Sequence, residues 1–316
     1  MINFIIRRII STIPVLLLTS IIIFSLMRLL PGDPVLMIMG GAQGDVTEEQ
    51  MEAARKEYGF DKPVYVQYVI WATNAIKGDL GRSIHTRQPV IDVVSSRLMP
   101  TVHIGLTAWV MAILVAVPIG AYTAQSQNSW ADWLGTFVTL TGAAMPYFLI
   151  GGLLIFLVSL KLGWFPASGY VPLTTDVWKS ISSTILPAVT LALGLTAVIA
   201  RQARSSFIEV MNNYYIRTAR AKGLSETSVV LRHAFRNAML PVVTIIGLQL
   251  GMLFGGTVVT ETVFAIPGLG RLLIDSILGR DYAVVQAVVL YITFTVIAAN
   301  LLVDICYGLL DPRSRT

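Results

Sequence analysis

Three histidines, one cysteine and eighteen carboxylates are the side chains in these 316 residues with the most capacity for chemistry. His85, His103 and His233 fall in separate segments, and no two are spaced i, i+4 on one helix as a helical zinc site requires. Cys306 stands alone, so there is no intrachain disulfide, and no Cys/His spacing suits a structural zinc. No Ser, His and acid grouping suggests a hydrolase. A Gly-x-x-x-x-Gly-Lys-Ser/Thr loop is absent, so nucleotide is not held by that device, and any ATP-driven work falls to a partner. The inventory predicts a chain with no catalytic residues, no metal site and no cofactor of its own.

The elements that carry these side chains are set by hydrophobicity. The sequence is 55% hydrophobic and 13% charged, about half the charged share of a soluble domain. That balance excludes a disordered tail and a nucleic-acid-binding module, despite a net charge of +5. A bilayer core of about 30 Å needs roughly 20 apolar residues in one helix. Six windows lack Asp, Glu, Lys, Arg and His for that length: 9–27, 104–131, 133–160, 180–200, 237–260 and 282–303. The next longest such stretch has 14 residues. The expected fold class is an all-α integral membrane protein with six transmembrane helices. A polar turn at Gln125–Ser129 separates the second and third. Met27, Arg28, Leu29, Leu30 and Pro31 form no small-x-small cleavage pattern, which favours an uncleaved anchor over a signal peptide.

Charge placement gives the orientation. Residues 201–236 hold Arg201, Arg204, Arg217, Arg220, Lys222, Arg232 and Arg236 against Glu209 and Glu226. Arg7 and Arg8 precede the first span, and Arg313 and Arg315 follow the sixth. By the positive-inside rule these segments and both termini are cytoplasmic. Residues 31–98 then lie outside. The organisation expected is an N-terminal span with its outer helical segment (1–94), a five-helix core (95–310) with a cytoplasmic loop at 201–240, and a cytoplasmic tail (311–316).

The outer segment shows helix signals in order. Thr47 with Gln50 forms a capping box and Gly59 a stop. Asp61 and Pro63 open a helix through Ile76, with Val64, Tyr68, Trp71 and Ala75 on one apolar face. Gly78 to Gly81 break it, and Pro89 opens a short third helix. In the cytoplasmic loop, Gly223 interrupts two helices, and Ser225 caps the second.

Within the spans, ionisable groups are sparse. Glu261 and Asp304 fall at span ends, where the expectation is solvated interfacial carboxylates. Gly247, Gly251 and Gly255 recur every four residues on one face of the fifth span, which suits either helix packing or a gated pathway between subunits. Pro146 and Pro187 interrupt the third and fourth spans, as hinges or as kinks.

Residues 214–241 are the most recognisable stretch. Tyr-Tyr-Ile-Arg-Thr-Ala-Arg-Ala-Lys-Gly-Leu-Ser, followed by Leu-Arg-His-Ala-Phe-Arg-Asn-Ala-Met-Leu-Pro, resembles the coupling motif of type I ABC importer permeases. The resemblance runs end to end and is strongest to the dipeptide/oligopeptide/nickel permease family, in its first-permease subfamily. Also carrying it are residues 4–8, 31–34, Tyr58 to Pro63, Asp79 to Ser83, Glu261 to Gly270, Arg280 to Tyr282 and Asp311 to Arg313. Where the general motif reads Glu-Ala-Ala and then Gly, this chain has Arg217, Thr218, Ala219 and Gly223.

The resemblance implies a type I ABC importer permease fold whose loop docks on cytoplasmic ATPases. Arg217, Thr218, Ala219, Arg220, Lys222, Gly223, Leu224 and His233 would form the coupling surface, with small Ala219 and Gly223 allowing close docking and the bases pairing with acids on the ATPase. It further implies a second homologous permease, two ATPase subunits that bind the ATP, an extracytoplasmic substrate-binding protein, and the lipid bilayer. Di- or oligopeptides are the default substrate, with glutathione, a nickel complex or another small solute as the alternative. An ion-coupled carrier acting alone, or a membrane scaffold, are the readings from other classes.

Overall fold

A computed structural model describes residues 2–29, 47–57 and 60–310. The helices in chain order are α1 (Ile2–Leu29), α2 (Glu48–Glu57), α3 (Val64–Ile76), α4 (Val90–Gln125), α5 (Trp130–Ala144), α6 (Tyr147–Lys161), α7 (Val177–Met211), α8 (Tyr214–Ala221), α9 (Glu226–Val263), α10 (Leu269–Leu278) and α11 (Tyr282–Leu310). No β-strand occurs among the described residues; Arg82 and Pro89 form an isolated bridge. Gly59, the tail 311–316 and the motif residues at 31–34 and 58 lie outside the described residues, as does the side chain of Asp304.

Five segments are long and apolar enough to cross a bilayer: Ile6–Ser25, Val90–Gln125, Val177–Met211, Glu226–Val263 and Tyr282–Val303. The third expected span is not one straight helix. It is α5 and α6, bent by 107° at Met145 and Pro146, so a sixth crossing exists only as a broken span. The cause is local. A residue before proline is pushed out of the helical region, and Met145 takes φ −83°, ψ 129°. Tyr147 then seats its ring between Gly194 of α7 and Gly256 of α9, where no side chain competes for the space. Pro187 behaves differently. It lies fully inside α7, which continues unbroken around it.

The core is the α4–α7 pair. Ile104, Ala108, Ala112 and Ala116 recur every four residues along α4, are wholly buried, and meet Ala188, Leu191, Leu195, Ile199 and Ala203 of α7. Gly120 ends the row, and a Cβ there would sit 2.5 Å from that of Ala203. In lipid, where no hydrophobic force drives helices together, such small residues permit the close packing that does. Around this pair, α9 packs on α7 and on α11, while α1 stands outermost against α11. Exposed Ile10, Ile13, Leu17, Leu18 and Ile22 of α1 suit lipid contact.

The segment between α1 and α4 matches its sequence signals closely. Gln50 N donates to Thr47 Oγ1 at 3.4 Å and Thr47 N to Gln50 Oε1 at 3.1 Å, a reciprocal capping box. Pro63 caps α3, whose Tyr68 and Trp71 rings pack on Phe24 of α1. Gly78 and Gly81 take φ +87° and +83°, the left-handed turns that end it. Pro89 does not start a separate short helix, however. It caps α4 itself, which runs unbroken past Pro100.

Candidate functional site

The sequence from Tyr214 to Ala238 folds as an outlying helix, a tight turn and the start of a long helix. Asn213 precedes α8, Lys222 closes it, and Gly223 takes φ +75° with open space where a Cβ would be. Glycine is required by that backbone, not by crowding. Ser225 Oγ then accepts from Ser228 N at 3.4 Å and caps α9. Between Val229 and Ala234 the helix widens to a π-helical turn before resuming at Phe235. Such turns re-aim the side chains on either side of them.

This segment has a buried and an exposed face. Ile216 and Ala219 are buried against Val229 and Ala234, with Val210 and Met211 beside them. Ala219 is thus engaged in packing within the chain. Arg220 is likewise engaged: its Nη2 donates to Glu226 Oε1 at 2.5 Å and its Nε to Oε2 at 3.1 Å, bridging the two limbs of the turn. That pair raises the guanidinium pKa through the hydrogen bond first and the charge second. Arg217 lies over the Tyr214 ring at 5.7 Å, and Thr218 Oγ1 is turned back to Tyr214 O. Tyr214, Arg217, Thr218, Lys222, Gly223 and Leu224 remain on the exposed face, while His233 is half-buried. Asn237 Nδ2 donates to Tyr215 Oη at 2.8 Å and fixes the angle between α8 and α9.

The opposite end of the bundle is held by two carboxylates. Glu261 is not an interfacial solvated acid: it is 0% exposed. Residues 264–281 fold back over it, and Thr101 Oγ1 and Arg271 N, at 2.6 and 3.0 Å, replace water around its carboxylate. The carboxyl group thus sits at the amino terminus of α10, where backbone N–H groups lack partners within the helix. Gly268 makes this possible, since a Cβ there would fall on the carboxyl group. Asp281 does similar work. It accepts from Ser83 Oγ at 2.5 Å and Ile84 N at 3.1 Å, and His85 Nε2 donates to Gly279 O at 2.8 Å, pinning residues 81–89 to the α10–α11 turn.

A third carboxylate lies near the α8 end. Arg204 of α7 donates from Nε and Nη2 to both oxygens of Asp132 in α5, at 2.7 and 2.8 Å. Sequence reading missed this pair; the trace it left is that Asp132 is the lone charge between the second and third apolar windows.

The glycine row of α9 is divided. Gly247 packs so closely on Val303 of α11 that a Cβ would overlap it, Gly251 faces Val296 and Asn300, and Gly255 has nothing within 4 Å. The first two are packing residues. Gly255 belongs instead to an exposed line with Leu248, Met252 and Val259. Among the described residues no His, Cys, Asp and Glu group could hold a metal.

Residues 116–316 match the family described as binding-protein-dependent transport system inner membrane component, and residues 1–105 match its N-terminal counterpart. The chain belongs to that family. It is an ABC importer permease subunit and a multi-pass membrane protein. This permease is 42% identical over 315 residues, 100% of its length and 99% of the relative's, to the glutathione transport system permease protein GsiC of Escherichia coli (strain K12). It is equally similar, over the same shares, to the protein of that name in Salmonella paratyphi A. Among solved structures its fold resembles the inward-facing MetNI methionine ABC transporter, with TM-score 0.59 at 15% identity, covering 69% of this permease and 96% of that chain. ATPase and binding-protein partners follow from the family.

Proposed function

We propose that this permease pairs with a second, homologous permease and two ATPase subunits, and imports glutathione or a closely similar short peptide delivered by an extracytoplasmic binding protein. The observation that carries the substrate is the 42% identity to glutathione permeases across the full length of both chains. Larger oligopeptides and nickel complexes are the other outcomes of an uptake test. Both termini and the α8–α9 element face the cytoplasm, in keeping with seven bases against two acids in 201–236.

Coupling runs through the exposed face of α8 and its turn. Arg217, Lys222 and Leu224 meet the ATPase, while Ala219 and the Arg220–Glu226 pair hold the element rigid so that a push on α8 reaches α9 and the core behind it. ATP closure then opens the path outward, and hydrolysis resets it. The chain itself catalyses no covalent step.

The experiment is uptake of labelled glutathione and of labelled dipeptides in cells carrying the permease or its variants. Gly223→Trp should reach the membrane at normal abundance and abolish uptake, whereas Gly223→Asn, which tolerates a left-handed backbone, should retain most of it. Normal uptake by the Trp variant would sink the docking role. Uptake of dipeptides without glutathione would overturn the substrate.

A further inference from the structure

Between α4, α5 and α7, at the α8 end of the bundle, lies a cleft of about 270 Å³ lined by Ile119, Thr123, Thr136, Leu140, Arg201 and Arg204, among others. Its depth in the membrane follows from its neighbours. Trp130 and Trp133, on the first turn of α5, are 81% and 68% exposed, as tryptophans of an interfacial belt are. Asp132, between them in sequence, holds Arg204 at the same level. Arg201 lies on α7 one turn before Arg204, about 4.5 Å farther from the α8 end of the bundle at three residues of 1.5 Å rise each, still at the cytoplasmic boundary of the membrane.

That position favours an anionic partner for a cation. Arg204 is neutralised by Asp132, yet Arg201 has no ion pair among the described residues and is exposed. At the cytoplasmic boundary of a membrane an unpaired guanidinium attracts an anionic headgroup. The cleft offers one further donor and an apolar floor. Thr123 and Thr139 spend their hydroxyls on backbone carbonyls; that of Thr136 has no acceptor among the described residues. Ile119, Leu140 and Ala200 supply apolar wall. One end of the cleft therefore suits a phosphate, the other a glycerol and acyl chain.

We propose that this cleft binds an anionic phospholipid, its headgroup phosphate taken by Arg201 and the Thr136 hydroxyl and its chains lying along Ile119 and Leu140. A basic pocket between transmembrane helices is the known physical form of such sites. The site rests on this chain's own charges and geometry, independent of which solute is imported.

The test uses the assembled transporter, extracted in mild detergent and analysed by native mass spectrometry for retained lipid. Wild type should keep phosphatidylglycerol or cardiolipin in preference to phosphatidylethanolamine. Arg201→Gln, a change at an exposed side chain, should lower that retention about fivefold, the effect of one basic group worth ~1 kcal/mol near an anionic surface. Thr136→Val should lower it less. Inorganic phosphate in excess should not displace the lipid; displacement would mean a free-phosphate site, and displacement by glutathione would mean a substrate site, each overturning the proposal. Equal retention by Arg201→Gln and wild type would overturn it as well.

Discussion

Thr101 and Glu261 meet at 2.6 Å although 160 residues separate them, and Thr101 Oγ1 also accepts from Leu269 N at 2.8 Å. One hydroxyl thus joins α4, the end of α9 and the start of α10. Thr101→Val keeps the shape and removes both hydrogen bonds, leaving a buried carboxylate and a buried amide each short of a partner. The expected cost is about 1–3 kcal/mol, read as a lowered melting temperature of the purified protein in detergent, with Thr101→Ser losing much less. An unchanged melting point for the valine variant would mean that water or a rearranged loop takes over these bonds.

The glycine row of α9 gives a paired prediction. Gly247→Ala places a methyl on Val303 and should destabilise by about 1–3 kcal/mol, the usual cost of overpacking. Gly255→Ala meets nothing within this chain, and replacing a helical glycine should if anything stabilise it by about 0.5–1 kcal/mol. If Gly255 faces the pathway or the second permease, its alanine variant will fold normally and transport poorly. Thermal melts and uptake, measured on the same two variants, separate the cases.

Helices, caps and the turn at Gly223 were legible in the sequence because each depends on a few neighbouring residues: Thr47 with Gln50, Pro63, Ser225. The packing was less so. Ala108, Ala112 and Ala116 form the central seam as regularly as the glycines of α9, but alanine is common in any apolar helix and does not announce itself. Glu261 read as interfacial because it stands near a span end; its burial depends on residues 264–281 folding back, which no local pattern states. Pro146 and Pro187 look alike in sequence, yet the chain bends at the first and continues as helix through the second, and only beside Pro146 does the next residue, Tyr147, pack against two glycines on other helices. That Ala219 and Arg220 engage the chain's own turn was not legible, since a small residue and a base suit a partner surface as well as they suit such a turn.

Asp176 caps α7, and the Lys179 amide at 3.0 Å, aided by the Lys179 charge, holds its carboxyl below the ordinary value of 3.8. A depressed folded-state pKa contributes stability that is present above the unfolded value, about 3.9, and is lost as pH falls through the lower folded value. Melting temperatures below about pH 5 should therefore fall less steeply for Asp176→Asn, which still caps the helix but does not titrate. Parallel acid limbs for variant and wild type would show that the cap does not outlast unfolding of the rest.

Arg220 and Glu226 are both substantially exposed, with side chains 42% and 53% accessible. A pair of that kind is worth roughly 0–1 kcal/mol, so Arg220→Glu should leave the melting temperature nearly unchanged. Its effect should appear in coupling, because α8 would no longer be strapped to the start of α9 across the Gly223 turn. ATP hydrolysis by the reconstituted transporter should then persist while substrate-dependent stimulation and uptake fall several-fold. The reversed pair, Arg220→Glu with Glu226→Arg, restores the bridge with opposite polarity. Recovery in the double variant identifies the intramolecular strap as what matters, and failure to recover despite normal abundance identifies the Arg220 charge as a contact with the ATPase.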